Sequence, residues 1–290
     1  QNCSLWRKSL FMSKTKLIRT VVVFAVLFCF AAVGSISAQG VASYTFTSTS
    51  GTFTPLSAGT ALTIQSGDAD DGRYLPVPIG FTFNFDGTNY TQVGTCTNGW
   101  MSFVPATNFA RNNDLDGTGG GATRPFVAPF FDDHDMVSGS VSYQLSGTAP
   151  NRVFTMQWLN ARWDYLGTAP AISFQAKLYE TTNRVQFVYR QEPGAIGIDV
   201  NSFGASIGIA GIATGSGQYL SLNNSGATPT ASSTVNTMNI STKPATGRIY
   251  TFSPTATASN SSISGKVLTS EGRGLVNAIV ILTDSQGAIR

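Results

Sequence analysis

The stretch Ile79-Gly-Phe81-Thr-Phe83-Asn-Phe85, closed by Asp86-Gly87 and answered by Thr88-Asn-Tyr90-Thr-Gln-Val93, constrains the fold of this chain more than any other segment. Phe81, Phe83 and Phe85 alternate with Thr82 and Asn84, so the rings fall on one face of a strand. Asp-Gly supplies the positive φ angles that a two-residue hairpin turn demands. The pattern recurs: Ile172, Phe174, Ala176 and Leu178 alternate with Ser173, Gln175 and Lys177, Thr181-Thr182-Asn183 turns the chain, and Val185, Phe187 and Tyr189 return. Asn98-Gly99 marks another turn before Trp100. Further strands read at Gly139–Leu145, at Arg152–Leu159 (with Phe154, Met156 and Trp158 at period two), near Val235–Ile240 and at Gly247–Phe252. No helical period follows residue 38. Short, numerous, regularly punctuated strands with one apolar and one polar face predict an all-β fold, an antiparallel, jelly-roll-like β-sandwich with a solvated side, over residues 39–253.

What precedes residue 39 is of a different kind. Met12 opens a better start than Gln1. Lys14, Lys16 and Arg19 follow, then an apolar run from Val21 to Val33, then Ser35-Ile36-Ser37-Ala38 before Gln39. That order is the layout of a cleaved secretory signal helix over residues 1–38, and the run is shorter than the roughly 20 residues of a membrane span. The whole chain has 18 Lys/Arg against 15 Asp/Glu, and Arg7, Lys8, Lys14, Lys16 and Arg19 are all in the leader. Removing those five leaves 13 against 15, a balance of −2. The basic surplus therefore belongs to export, and no nucleic-acid footprint remains. Membrane contact is expected only through the export signal. Cys3 and Cys29 leave with the leader, so Cys96 stands alone and no disulfide framework is available. Core burial must supply the stability, which fits an exported bacterial protein.

Pro125-Phe126-Val-Ala-Pro129-Phe130-Phe131-Asp132-Asp133, then Gly139-Ser-Val141-Ser-Tyr143, then the strand ending at Trp158, Phe174-Gln175 and Val185-Gln-Phe187-Val-Tyr189 resemble, in this order, the nidogen-like (NIDO) extracellular domain and its bacterial relatives. That resemblance implies an extracellular β-sandwich of adhesive or matrix type, with no catalytic residues to carry over. Residues 254–262 read as a Ser/Thr linker. Beyond it, Ile263-Ser-Gly265-Lys-Val267, Gly272-Arg-Gly274-Leu275 and Asn277-Ala278-Ile-Val280-Ile-Leu282 resemble the opening of a carboxypeptidase regulatory-like domain, a small transthyretin- or immunoglobulin-like sandwich without peptidase activity. Residues 263–290 hold only its first strands and have no cysteine to staple them, so the expectation is a partial domain.

Candidate sites are few. Arg162, Trp163 and Tyr165 mix flat apolar faces with hydrogen-bonding groups, on what reads as a loop before Gly167, and could take an extracellular protein or glycan, whereas core packing accounts for Trp158 and Trp100 without a ligand. Asn112, Asp114 and Asp116, followed by Gly117, resemble the first half of a calcium loop. Thr123 stands where the twelfth-position acid belongs, so a Gly-rich loop without an ion is the competing reading. Gly67-Asp68-Ala-Asp70-Asp71-Gly72 has a similar but poorer pattern. His134, the only histidine, lies among Asp132, Asp133 and Asp135. Neighbours on a strand point to opposite faces, so these residues cannot all converge on a metal unless they form a turn, and a solvated junction is expected. No catalytic triad can be built without this histidine, and no two acids are predictably paired for glycosidic cleavage. The sequence thus predicts a secreted or cell-surface binding, adhesion or structural module that is not an enzyme and has no cofactor beyond a candidate calcium ion. A carbohydrate-binding module of a larger secreted enzyme is the alternative.

Overall fold

The computed structural model describes residues 40–104, 108–197 and 204–255. The export signal expected over 1–38, most of the linker and the partial domain expected over 263–290 lie outside the described residues. In chain order the strands are β1 (Thr45–Ser50), β2 (Thr60–Ala61), β3 (Ile64–Ser66), β4 (Arg73–Tyr74), β5 (Val77–Phe85), β6 (Thr88–Thr95), β7 (Met101–Ser102), β8 (Phe126–Phe131) and β9 (His134–Asp135). They continue with β10 (Ser140–Ser146), β11 (Val153–Trp163), β12 (Ile172–Tyr179), β13 (Val185–Gln191), β14 (Ser206–Ala210), β15 (Tyr219–Leu222), β16 (Ala231–Ser232) and β17 (Arg248–Ser253). One sheet runs β1-β17-β13-β12-β11-β10-β2, with β9 added to the end of β11. The second runs β16-β15-β14-β8-β7-β6-β5, and β3-β4 form a small hairpin. The fold is an all-β antiparallel sandwich, without a closed barrel.

The opening hairpin forms as its pattern dictates. β5 is buried at every second residue, and Asp86 and Gly87 take φ values of 52° and 76° in the turn. Phe83 and Phe85 stack on Phe103 at 5.6 and 4.5 Å between ring centroids. Across the sandwich, Phe130 of β8 meets Phe174 of β12 at 5.9 Å and Tyr189 of β13 at 6.4 Å. Trp158 is fully buried and stacks on Phe174 at 5.1 Å.

β8 is buried on both faces. Val127 and Phe130 enter the core between the sheets, whereas Phe126, Ala128 and Phe131 join Trp100, Leu115, Ala122 and Tyr219 in a second cluster. From Phe131 to Ala128, β8 takes three steps where β14 takes two from Ser206 to Gly208. This one-residue bulge holds Pro129, which has no N–H to give to a ladder.

Three expectations need correction. The polar face of the first sheet is not simply solvated. Gln157 and Gln175 are buried under the chain before β2, where Gln157 Oε1 accepts Leu56 N at 3.1 Å and Gln175 Nε2 donates to Thr54 O at 2.8 Å. Val235–Ile240 forms no strand apart from the single bridge of Ile240 to Ala205. Side chains replace the ladder there: Ser206 Oγ donates to Thr237 O at 2.8 Å and Thr237 N to Ser221 Oγ at 3.0 Å. Third, β11 does not end at Leu159. A bulge between Trp158 and Ala161, with Asn160 at a φ of 59°, carries it on to Trp163.

Candidate functional site

That bulge decides the fate of the expected ligand-binding residues. One extra residue reverses which side chains face inward, so Phe154, Met156 and Trp158 are followed in the core by Ala161 and Trp163. Trp163 is 1% exposed, meets Phe130 edge-on at 4.6 Å and donates its indole N–H to Asp132 Oδ2 at 2.5 Å. It offers no face to a sugar. Tyr165 remains 40% exposed. Arg162 is tied to Asp135 at 3.2 Å and to Ser138 Oγ at 3.2 Å.

Asp135 belongs to a junction assembled from segments far apart in the chain. The β3–β4 turn carries Asp68, Asp70 and Asp71, and it docks against the segment around β9 through Met136 N to Ala69 O at 2.8 Å. Within the turn, Asp68 Oδ1 accepts the amides of Asp70 and Asp71, both at 3.1 Å. Thr97 Oγ1 donates to Asp70 O and accepts Gly72 N.

Asn98 is the hub. Its Nδ2 donates to Asp71 Oδ1 at 2.9 Å and to Phe109 O at 3.0 Å, while its Oδ1 accepts the buried His134 amide at 3.0 Å. Gly99 beside it has a φ of 75°, and a Cβ there would lie 2.0 Å from Phe130 O, so only glycine fits. Trp100 then donates Nε1 to Ala110 O at 2.9 Å. Asn98 and Trp100 together pin the Asn108–Arg111 segment onto the sandwich. With Asp71 it lines a cleft of about 310 Å³ in which Phe109 is 41% exposed.

The electrostatics of the junction are lopsided. Arg111 Nη1 reaches Asp133 Oδ2 at 3.3 Å, but its side chain is 61% exposed, so this pair is weak. Burial first, and then Asp70, pushes the Asp133 carboxyl up to about 7, with Arg111 opposing. Burial, then Asp71, Asp135 and Asp68, pushes Asp70 up to about 6. His134 is fully enclosed rather than solvated. Its ring stacks near Phe130 at 5.5 Å, its Nε2 donates to Phe130 O at 2.8 Å, and its Nδ1 lies 3.3 Å from Arg162 O. Burial lowers its pKa, and no open face is left for general-base chemistry.

The Asn112–Gly117 loop is built differently. Asp114 Oδ1 accepts Asp116 N, Gly117 N and Asn236 Nδ2 at 2.9, 3.1 and 2.7 Å, and its Oδ2 accepts Gly119 N at 2.8 Å. Asp116 Oδ1 accepts both the amide and the hydroxyl of Thr118, and Asn112 Nδ2 donates to Gly119 O. Both carboxylate oxygens of Asp114 are thus met by donors of the protein itself. Asp114→Ala strands four donors and is expected to cost about 2–4 kcal/mol. Urea denaturation checks this, with the same loss expected in calcium and in chelator.

Among the described residues no helix is long and apolar enough to cross a membrane. Residues 43–254 match the family described as NIDO related, which is consistent with an extracellular module. No curated protein and no solved structure matches the chain. The family match covers most of the chain, and the protein belongs to the NIDO-related family.

Proposed function

We infer that this NIDO-related protein is an exported bacterial binding module, secreted or held at the cell surface, that acts in adhesion or assembly without catalysing a reaction. Residues 1–38 serve as its export signal, and residues 263–290 begin a carboxypeptidase regulatory-like sandwich. The observation that carries this reading is the Asn108–Arg111 cleft. A half-exposed ring, an exposed guanidinium and a carboxylate are held on a rigid sandwich by buried side-chain bonds, which is how extracellular folds present recognition loops. The enclosure of the only histidine also counts against hydrolytic chemistry. A glycan ligand is the second reading, favoured by the exposed Tyr165 ring following Arg162.

Arrays of extracellular proteins and of glycans, probed with the full chain, test both readings. Phe109→Ala with Arg111→Ala is expected to weaken capture of a protein ligand by about 10-fold or more while leaving the melting temperature nearly unchanged. Capture restricted to glycans and lost with Tyr165→Ala would favour the second reading. Turnover of any screened substrate would overturn the non-catalytic assignment.

A further inference from the structure

Each large sheet ends in two edge strands, and among the described residues β1 is the edge that nothing blunts. β2 and β16 are only two residues long. β5 carries Pro78 and slips its register with β6 between Pro78 and Phe83. Its edge is also covered from the other sheet, where Arg152 Nη1 donates to Gly80 O at 2.7 Å and Asn183 Oδ1 accepts Asn84 N at 2.9 Å. Short strands, proline, bulges and covering groups are the devices that keep an edge from pairing. β1 has none of them. It reads Thr45-Phe-Thr-Ser-Thr-Ser50, without charge or proline, and keeps an unshifted register with β17 from Thr45 opposite Ser253 to Ser50 opposite Arg248.

The bond that continues this ladder shows which backbone groups of β1 face outward. Gly51 N donates to Gly247 O at 2.8 Å, and the two residues lie in the same register as the strand pair. Thr45, Thr47 and Thr49 therefore turn their N–H and C=O groups to β17, and those of Phe46, Ser48 and Ser50 point away from the sheet. Side chains alternate across the two faces. Phe46 packs inward on Phe252 at 5.2 Å and on Tyr250 at 5.9 Å yet stays half-buried, whereas Thr45, Thr47 and Thr49 are exposed on the outer face.

We propose that β1 pairs antiparallel with β1 of a second copy of this chain, so that two sandwiches share one continuous sheet. A two-fold axis at Ser48 sets Ser48 opposite its own counterpart and Phe46 opposite Ser50 of the second copy. Each such pair exchanges two backbone hydrogen bonds, and both strands are satisfied alike. On the outer face Thr47 meets Thr49 of the second copy, a favourable cross-strand pair, and on the inner face Phe46 gains cover. The uncharged strand favours a second copy over a foreign one. Self-pairing brings no like charges together, and β1 offers no charge with which to select another sequence. A strand pair this short is a small interface, so the dissociation constant is expected at about 10–100 µM. The pairing does not depend on the Asn108–Arg111 cleft.

Sedimentation equilibrium of the full chain in its exported form, from about 1 µM to about 1 mM, is expected to pass from monomer to dimer. Ser48→Pro removes an outward N–H without touching the bonds to β17, and should weaken the dimer by about 10-fold or more at a nearly unchanged melting temperature. Ser48→Ala loses only the hydroxyl bond to Ala227 O and should dimerise as the wild type does. Thr47→Lys with Thr49→Lys, and Thr47→Glu with Thr49→Glu, each place like charges opposite one another and should stay monomeric, whereas a mixture of the two variants should form the heterodimer. A wild type that stays monomeric throughout would overturn the proposal, and so would a dimer that survives both Ser48→Pro and the lysine pair. If Ser48→Pro fails to fold, the charge variants decide: a mixture that does not associate counts against the pairing.

Discussion

Replacing Asn98 by alanine is expected to destabilise the protein by about 3–5 kcal/mol, because three buried or part-buried groups lose their partner at once. The His134 amide loses its acceptor, and Phe109 O and Asp71 Oδ1 lose their donor. Asn98 is itself fully buried, so water cannot take over these bonds without opening the turn. Asn98→Asp separates hydrogen bonding from size. It keeps an acceptor for the His134 amide but places a carboxylate against the Asp71 carboxylate and the Phe109 carbonyl. It should therefore be at least as harmful as alanine at neutral pH, and less harmful at about pH 4, where a carboxyl can donate. Urea denaturation at both pH values measures the difference. An Asn98→Asp protein as stable as wild type at neutral pH would show that the side chain does not join these segments.

Phe130→Ala is expected to cost about 3–5 kcal/mol, the range for emptying a buried phenyl site. Phe130 is fully buried and lies within 6.4 Å, centroid to centroid, of Trp163, His134, Phe174 and Tyr189. These neighbours come from β11, β12 and β13 of the facing sheet and from the β9 segment, so the cavity would open between the two sheets and collapse poorly. Phe109→Ala, on a 41% exposed ring, should stay within about 1 kcal/mol of wild type. Denaturant midpoints with unchanged slopes would separate the two residues, one supporting the sandwich and the other presented by it.

Local pattern carried the fold. Phe81, Phe83 and Phe85, the Asp86-Gly87 turn and the β12–β13 hairpin were legible because a period of two and a turn dipeptide are short-range signals. Trp163 was misread for an equally local reason. A bulge centred on Leu159 and Asn160 has no glycine to announce it, and one inserted residue moves the tryptophan from the surface to the core. His134 looked solvated because three of its neighbours are acids. Its burial comes from Asn98 and Phe174, which lie far from it in the sequence. The acidic junction was half visible. Asp70 and Asp71 stood out in one loop and Asp133 and Asp135 in another, but that the two meet is a tertiary fact. Asn98 read only as a turn residue, since nothing in its local sequence reveals which three groups its side chain will bind.

Capture of extracellular proteins and glycans by the full chain, with and without the paired substitutions Phe109→Ala and Arg111→Ala, tests most directly what this protein does. The expected result is capture of a protein ligand that the two substitutions weaken by about 10-fold or more. The contrary result is capture that the two substitutions leave unchanged, or turnover of a screened substrate.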